Sequence, residues 1–122
     1  MLTDKEYRNQ KKRVWALFNR LRLKLWLGEW EMTMEYCNGP ISEEHYSACA
    51  VADAKWPYRR ATISWNLNLV KDLTDEKLEW VFIHEAMHVI VNEMRDDKKN
   101  LDHEERVCST LANLIQRLVE RP

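Results

Sequence analysis

"FIHEAMHV", residues 82–89, sets His84, Glu85 and His88 inside a stretch that otherwise reads as hydrophobic core. From Trp80 to Val91 nine of twelve residues are apolar, and the exceptions are these three. A helix apolar on all sides is an enclosed one, and burying an isolated charge or an unsatisfied imidazole is costly. One shared partner would compensate all three, and the spacing names it. His84 and His88, four residues apart, project from one helix face a turn apart, the separation at which two imidazole nitrogens reach one tetrahedral zinc ion. Glu85 is rotated about 100 degrees from His84, placed to take a proton from a water whose pKa zinc lowers to about 7. That is the chemistry of metal-assisted peptide hydrolysis. The competing reading, two core histidines satisfied by carbonyls and an ion-paired Glu85, asks for three separate partners on one enclosed helix.

Around this segment the periodicities predict an α+β domain. Thr3 and Glu6 have capping-box spacing, and Val14, Leu17, Phe18, Leu21 and Leu25 share one side of a helical period, so a first helix is expected over 4–27 with Gly28 as its stop. "WEMTMEYC", 30–37, alternates Trp30, Met32, Met34 and Tyr36 with polar residues, as a half-buried strand does; Asn38, Gly39 and Pro40 end it. "YSACAVADAKWPYRRATISWNLNL", 46–69, reads as two extended segments around a turn near Pro57, with Ile63, Trp65, Leu67 and Leu69 alternating; its Ala-rich half, 46–54, also suits a helix. Thr74 is an N-cap for a helix reaching about Arg95, which "DDKKN" (96–100) follows. A last helix starts near Asp102 and carries Val107, Cys108, Leu111, Ala112, Leu114, Ile115, Leu118 and Val119 on a broad apolar face.

The chain has 122 residues, 45% of them apolar, which fits a single domain over 1–122. The net charge of -1 conceals an asymmetry: residues 1–27 hold eight Lys or Arg against Asp4 and Glu6. A solvated helix face is the plain reading of that segment, and an acidic partner such as nucleic acid the other. Cys37, Cys49 and Cys108 are odd in number and widely spaced, which favours thiols in a reducing compartment. The first residues lack the apolar core of a signal peptide and no run is long enough to span a membrane, so a cytoplasmic protein without a membrane partner is expected.

"VFIHEAMHVI" resembles the HExxH helix of zincin metallopeptidases, which also expects the uncharged flanks that Val81, Phe82, Ala86, Met87, Val89 and Ile90 supply. A catalytic zinc has three protein ligands and an open position, so one more ligand must come from outside the motif. "NLDHEERVCSTLANLIQRL", 100–118, is similar to the glutamate-bearing helix of the smallest gluzincins and of the ImmA/IrrE-like peptidases; that resemblance implies Glu105 as third ligand, followed by Cys108, Leu111 and Ala112. Helical geometry leaves Glu104 in contention, because it lies at the centre of the apolar arc and Glu105 at its edge. Small Cys108 and Ala112 favour Glu105 by allowing close helix approach. Val91 and Met94 stand where metzincins have glycine and histidine, which excludes that group. The aspartate that thermolysin-like enzymes carry four residues past their ligand glutamate is also absent, leaving the support of the upstream histidine unassigned. His103 reads as a surface residue.

The resemblance implies a minimal zincin-like domain, found in bacteria and phages: an N-terminal helix, a small, mostly antiparallel sheet of about three strands, the buried HExxH helix and the glutamate helix. It further implies a zinc peptidase with His84, His88 and Glu105 on Zn2+, Glu85 as general base, and a peptide or protein substrate lying along "ATISWNLNLV", 61–70. Tyr46, Tyr58, Arg59 and His103 are candidate oxyanion helpers. The alternatives are a non-catalytic zinc-containing binding protein and, by similarity to SprT-like proteases, recruitment to nucleic acid through the basic first helix.

Overall fold

The computed structural model describes residues 1–25, 27–92 and 101–119. It is an α+β arrangement of four helices and a three-stranded mixed sheet: α1 (Asp4–Leu21), β1 (Glu31–Cys37), β2 (Ala50–Lys55), β3 (Arg60–Asn66), α2 (Leu67–Val70), α3 (Asp75–Val91) and α4 (Leu101–Leu118).

The capping box at Thr3 and Glu6 starts α1, with each residue's side chain accepting the other's backbone N–H. Val14, Leu17, Phe18 and Leu21 are its buried stripe. The helix stops at Leu21 rather than running to residue 27. Beyond it the Leu27 N–H donates to the Arg22 carbonyl at 2.8 Å, a wider closure than a helical turn, and this leaves both Leu25 and Leu27 buried.

In β1 the half-buried Met32, Met34 and Tyr36 alternate with exposed Glu31, Thr33 and Glu35. The Ala-rich segment is strand, not helix, from Ala50 onward. A 3-10 turn at Trp56–Tyr58 and a left-handed Arg59 (φ 49°) join it to β3. The sheet order is β1-β3-β2, with β3 parallel to β1 and antiparallel to β2. The sheet is therefore evenly mixed rather than mostly antiparallel, because β2 and its turn form the crossover between the two parallel strands. It also makes β3 the central strand, so the edge expected at residues 61–70 is not available there.

The alternation anticipated through Leu69 breaks at Asn66. Its side chain accepts the Asn68 N–H at 3.1 Å and caps the single turn of α2, which buries Leu67 and Val70. Thr74 caps α3 through the Lys77 N–H; positions 93–95 of the expected helix lie outside the described residues. Phe82 of α3 stacks on Trp65 of β3 (6.3 Å, 7°) and meets Phe18 of α1 at 6.2 Å, joining three elements in one core. On another side α3 packs along α4. Buried Glu79 of α3 pairs with Arg20 of α1 at 2.8 Å and accepts from Gln116 of α4 at 3.1 Å. Leu114 and Leu118, read as part of the α4 core face, are exposed. Cys37, Cys49 and Cys108 are free thiols. Among the described residues no helix is long and apolar enough to cross a membrane.

Candidate metal centre

The middle of α3 is enclosed as its composition requires: every residue from Leu78 to Met87 except Trp80 is buried, His84 and Glu85 included. The His84 and His88 rings meet edge to face with centroids 4.9 Å apart, and their Nε2 atoms are 3.2 Å apart. Glu105 of α4 closes the triangle. One carboxylate oxygen lies 3.0 Å from His84 Nε2, the other 3.0 Å from His88 Nε2. Tetrahedral zinc with bonds of about 2.0–2.1 Å separates its ligand atoms by about 3.3 Å, so these donors stand close to the spacing the ion demands. Two imidazoles and a carboxylate are also a donor set that suits zinc. The residues present fit the ion.

Glu104 takes a different part. Its carboxylate is buried and sits 2.8 Å from His88 Nδ1, the nitrogen that faces away from His84 and Glu105. Cys108 lies on that same side and forms a second group of possible ligands with His88 and Glu104. Held at Nδ1 by a carboxylate, His88 presents Nε2 to the site, the arrangement by which ligand histidines are commonly oriented. The central and peripheral positions on the helix are thus both used, Glu104 at His88 Nδ1 and Glu105 at His88 Nε2.

His84 has its own support. Ser109 Oγ is 3.4 Å from His84 Nδ1, and Trp80 stacks on the ring at 5.0 Å while donating from Nε1 to Asn113 Oδ1 at 2.7 Å. Ser109 stands four residues past Glu105, at the position where the expected aspartate is absent, and its hydroxyl is the group beside His84 Nδ1. The sequence signal was the position, not the residue type.

Burial pushes the Glu85 carboxyl up to about 7, with Glu105 adding to the rise; positive charge at His88 and the Ala52 N–H oppose it. Burial lowers the His84 pKa against the pull of Glu105, favouring the neutral imidazole a metal needs. Burial also pulls His88 down, but hydrogen bonds with Cys108 and Glu104 outweigh it and raise the group to about 10.

The strand beside Glu85 is β2. The Asn66 N–H donates to the Cys49 carbonyl at 2.9 Å, so by antiparallel alternation Val51, Asp53 and Lys55 face β3 and Ala52 and Ala54 turn their backbone groups outward. The outward Ala52 N–H is on the Glu85 side, where it opposes the rise of that carboxyl, and the Trp56 N–H donates to Asn92 Oδ1 at 3.3 Å. The edge near the site therefore belongs to β2, correcting the assignment to residues 61–70. Tyr46, Tyr58 and His103 are exposed, and Arg59 pairs with Glu29. Among the described residues none of these four hydrogen-bonds to His84, Glu85, His88 or Glu105.

No family model matches the chain, and neither does any curated protein or solved structure.

Proposed function

We propose that the chain is a zinc-dependent peptidase. The reading is carried by one observation: three ligand-type atoms from α3 and α4 converge at zinc spacing beside a buried carboxyl whose pKa is raised to about 7. His84 Nε2, His88 Nε2 and Glu105 would hold the ion, which when bound supplies Lewis acidity toward a water and a peptide carbonyl. Glu85 acts as general base. The carboxylate would accept a proton from the attacking water and return it to the leaving amine, and the positive charge of the bound ion would favour its ionised form against the burial that raises it in the metal-free chain. Glu104, Ser109 and Trp80 fix the two imidazoles. An extended substrate would lie along the outward backbone of β2, with Ala52 and Ala54 supplying hydrogen bonds that do not depend on its side chains.

The test is casein hydrolysis by the zinc-loaded chain. Expected are loss of cleavage with a chelator, recovery with zinc, and loss in Glu85→Gln protein that still carries one zinc per chain. Cleavage by that variant removes Glu85 from the role, and full zinc occupancy with no cleavage by the wild type makes the chain a zinc-containing binding protein instead.

A further inference from the structure

We infer that the groove between α1 and the outer edge of β1 is a docking site for an extended acidic peptide that joins the sheet as a fourth strand. Arg8, Lys11, Lys12 and Trp15 recur at helical spacing and form one stripe along α1. Together with Met34 and Tyr36 of β1 they line a single groove. All four α1 residues are exposed, Trp15 by half. Among the described residues none of the three cations has a carboxylate within salt-bridge distance. The acidic side chains of β1 do not neutralise them, because they project from the opposite face, where Glu31 pairs with Arg60 and Glu35 meets Ser64.

The backbone makes the groove directional. The Glu31 N–H donates to the Arg59 carbonyl at 2.8 Å, so by the alternation of a parallel ladder Met32, Met34 and Tyr36 turn their N–H and C=O groups away from β3. Tyr7 covers the last of these by donating its hydroxyl to the Tyr36 carbonyl. Among the described residues Met32 and Met34 have no partner on that edge. An added strand would satisfy both their donors and their acceptors. Its side chains on the α1 side meet the three cations, which select Glu or Asp; those on the other side lie beside Glu31, Thr33 and Glu35, which disfavour acids there. The occupant is thus acidic at alternate positions.

A nucleic-acid strand fits less well. Phosphates would face the outward carbonyls of Met32 and Met34, and the Tyr36 ring that a base might stack on is already covered by Lys11 Nζ, 5.3 Å from its centroid. A second copy of the chain would set one basic stripe against another. The groove lies at the opposite edge of the sheet from β2, so the inference does not rest on the proposed peptidase activity.

The probe is a fluorescent peptide about eight residues long alternating Glu and Thr, followed by anisotropy. Binding is expected to weaken at least tenfold for the Lys11→Gln/Lys12→Gln double variant, whose positions are solvent-exposed. It is also expected to weaken at least tenfold for the same peptide with alternate amides N-methylated, a test made on the unaltered chain. No binding of the probe, equal binding by the double variant, equal binding of the N-methylated peptide, or tighter binding of an oligothymidylate of similar length would each overturn the inference.

Discussion

Ser109 Oγ lies 3.4 Å from His84 Nδ1, one helical turn beyond Glu105 on α4, so a single helix supplies both the carboxylate that meets His84 Nε2 and the hydroxyl behind that ring, a proposed ligand and its prop. Outer partners of this kind are commonly worth about 10- to 100-fold in metal affinity. A hydroxyl belongs at the weak end, and Ser109→Ala should lower zinc affinity about tenfold. Ser109→Asp, which makes the bond charge-assisted, should raise it. Competition with a chromophoric chelator measures both.

The proposed roles of Glu104 and Glu105 differ in kind and make different predictions. Glu105→Ala removes a ligand and Glu104→Gln only loosens the His88 ring, so Glu104→Gln should cost about 10- to 100-fold in zinc affinity and Glu105→Ala more. The reverse order in chelator competition would exchange their assignments.

His88 without metal is a proton holder, raised to about 10 by Cys108 and Glu104 against the pull of burial. Zinc requires the neutral imidazole, so binding must expel that proton. Below about pH 10 the metal-free chain starts protonated at His88, and each unit of pH increase should strengthen apparent zinc affinity about tenfold until that value is approached. Calorimetry in two buffers of different ionisation enthalpy should count about one proton released per zinc near neutral pH. A count of zero would show that His88 is already neutral.

How far the sequence reached is clearest on α3. Its Thr74 cap, its enclosed apolar run and the common direction of His84 and His88 follow from local periodicity, which a helix carries in full. The capping box of α1 was legible for the same reason. The sheet was less so, since alternation in 30–37 and 60–66 marks strands without saying which is central. That depends on the β2 crossover, a property of the whole chain. The end of α1 is hidden in the sequence because Leu25 keeps the helical period and still donates its N–H to the Leu21 carbonyl, the departure coming only where Leu27 bonds Arg22. The contact of Ser109 with His84 escaped because a hydroxyl carries no charge signature, and helical spacing alone leaves both Glu104 and Glu105 in contention as third ligand.

Arg20 and Glu79 differ in burial, with side-chain exposures of 26% and 2%, and the two ends of the pair should respond differently to removal. Arg20→Ala takes the cation from a buried carboxylate that retains Gln116, and should destabilise the fold by about 2–3 kcal/mol. Glu79→Gln leaves a neutral amide beside a guanidinium that reaches solvent, and should cost about 1 kcal/mol. Urea denaturation at neutral pH compares them, and equal losses would mean that the charge on Glu79 contributes little.

The strand order β1-β3-β2 carries a kinetic consequence. The β2–β3 pairing joins neighbours in the chain across one tight turn, whereas β1 must find β3 across the whole of that hairpin, a larger ring to close. Assembly should begin with the hairpin and add β1 afterwards, and rupture should run backwards along the same route. In native-state amide exchange, Thr33 and Glu35, whose N–H groups bond to β3, should open before Ser64 and Asn66, giving the molecule a seam at which it comes apart first.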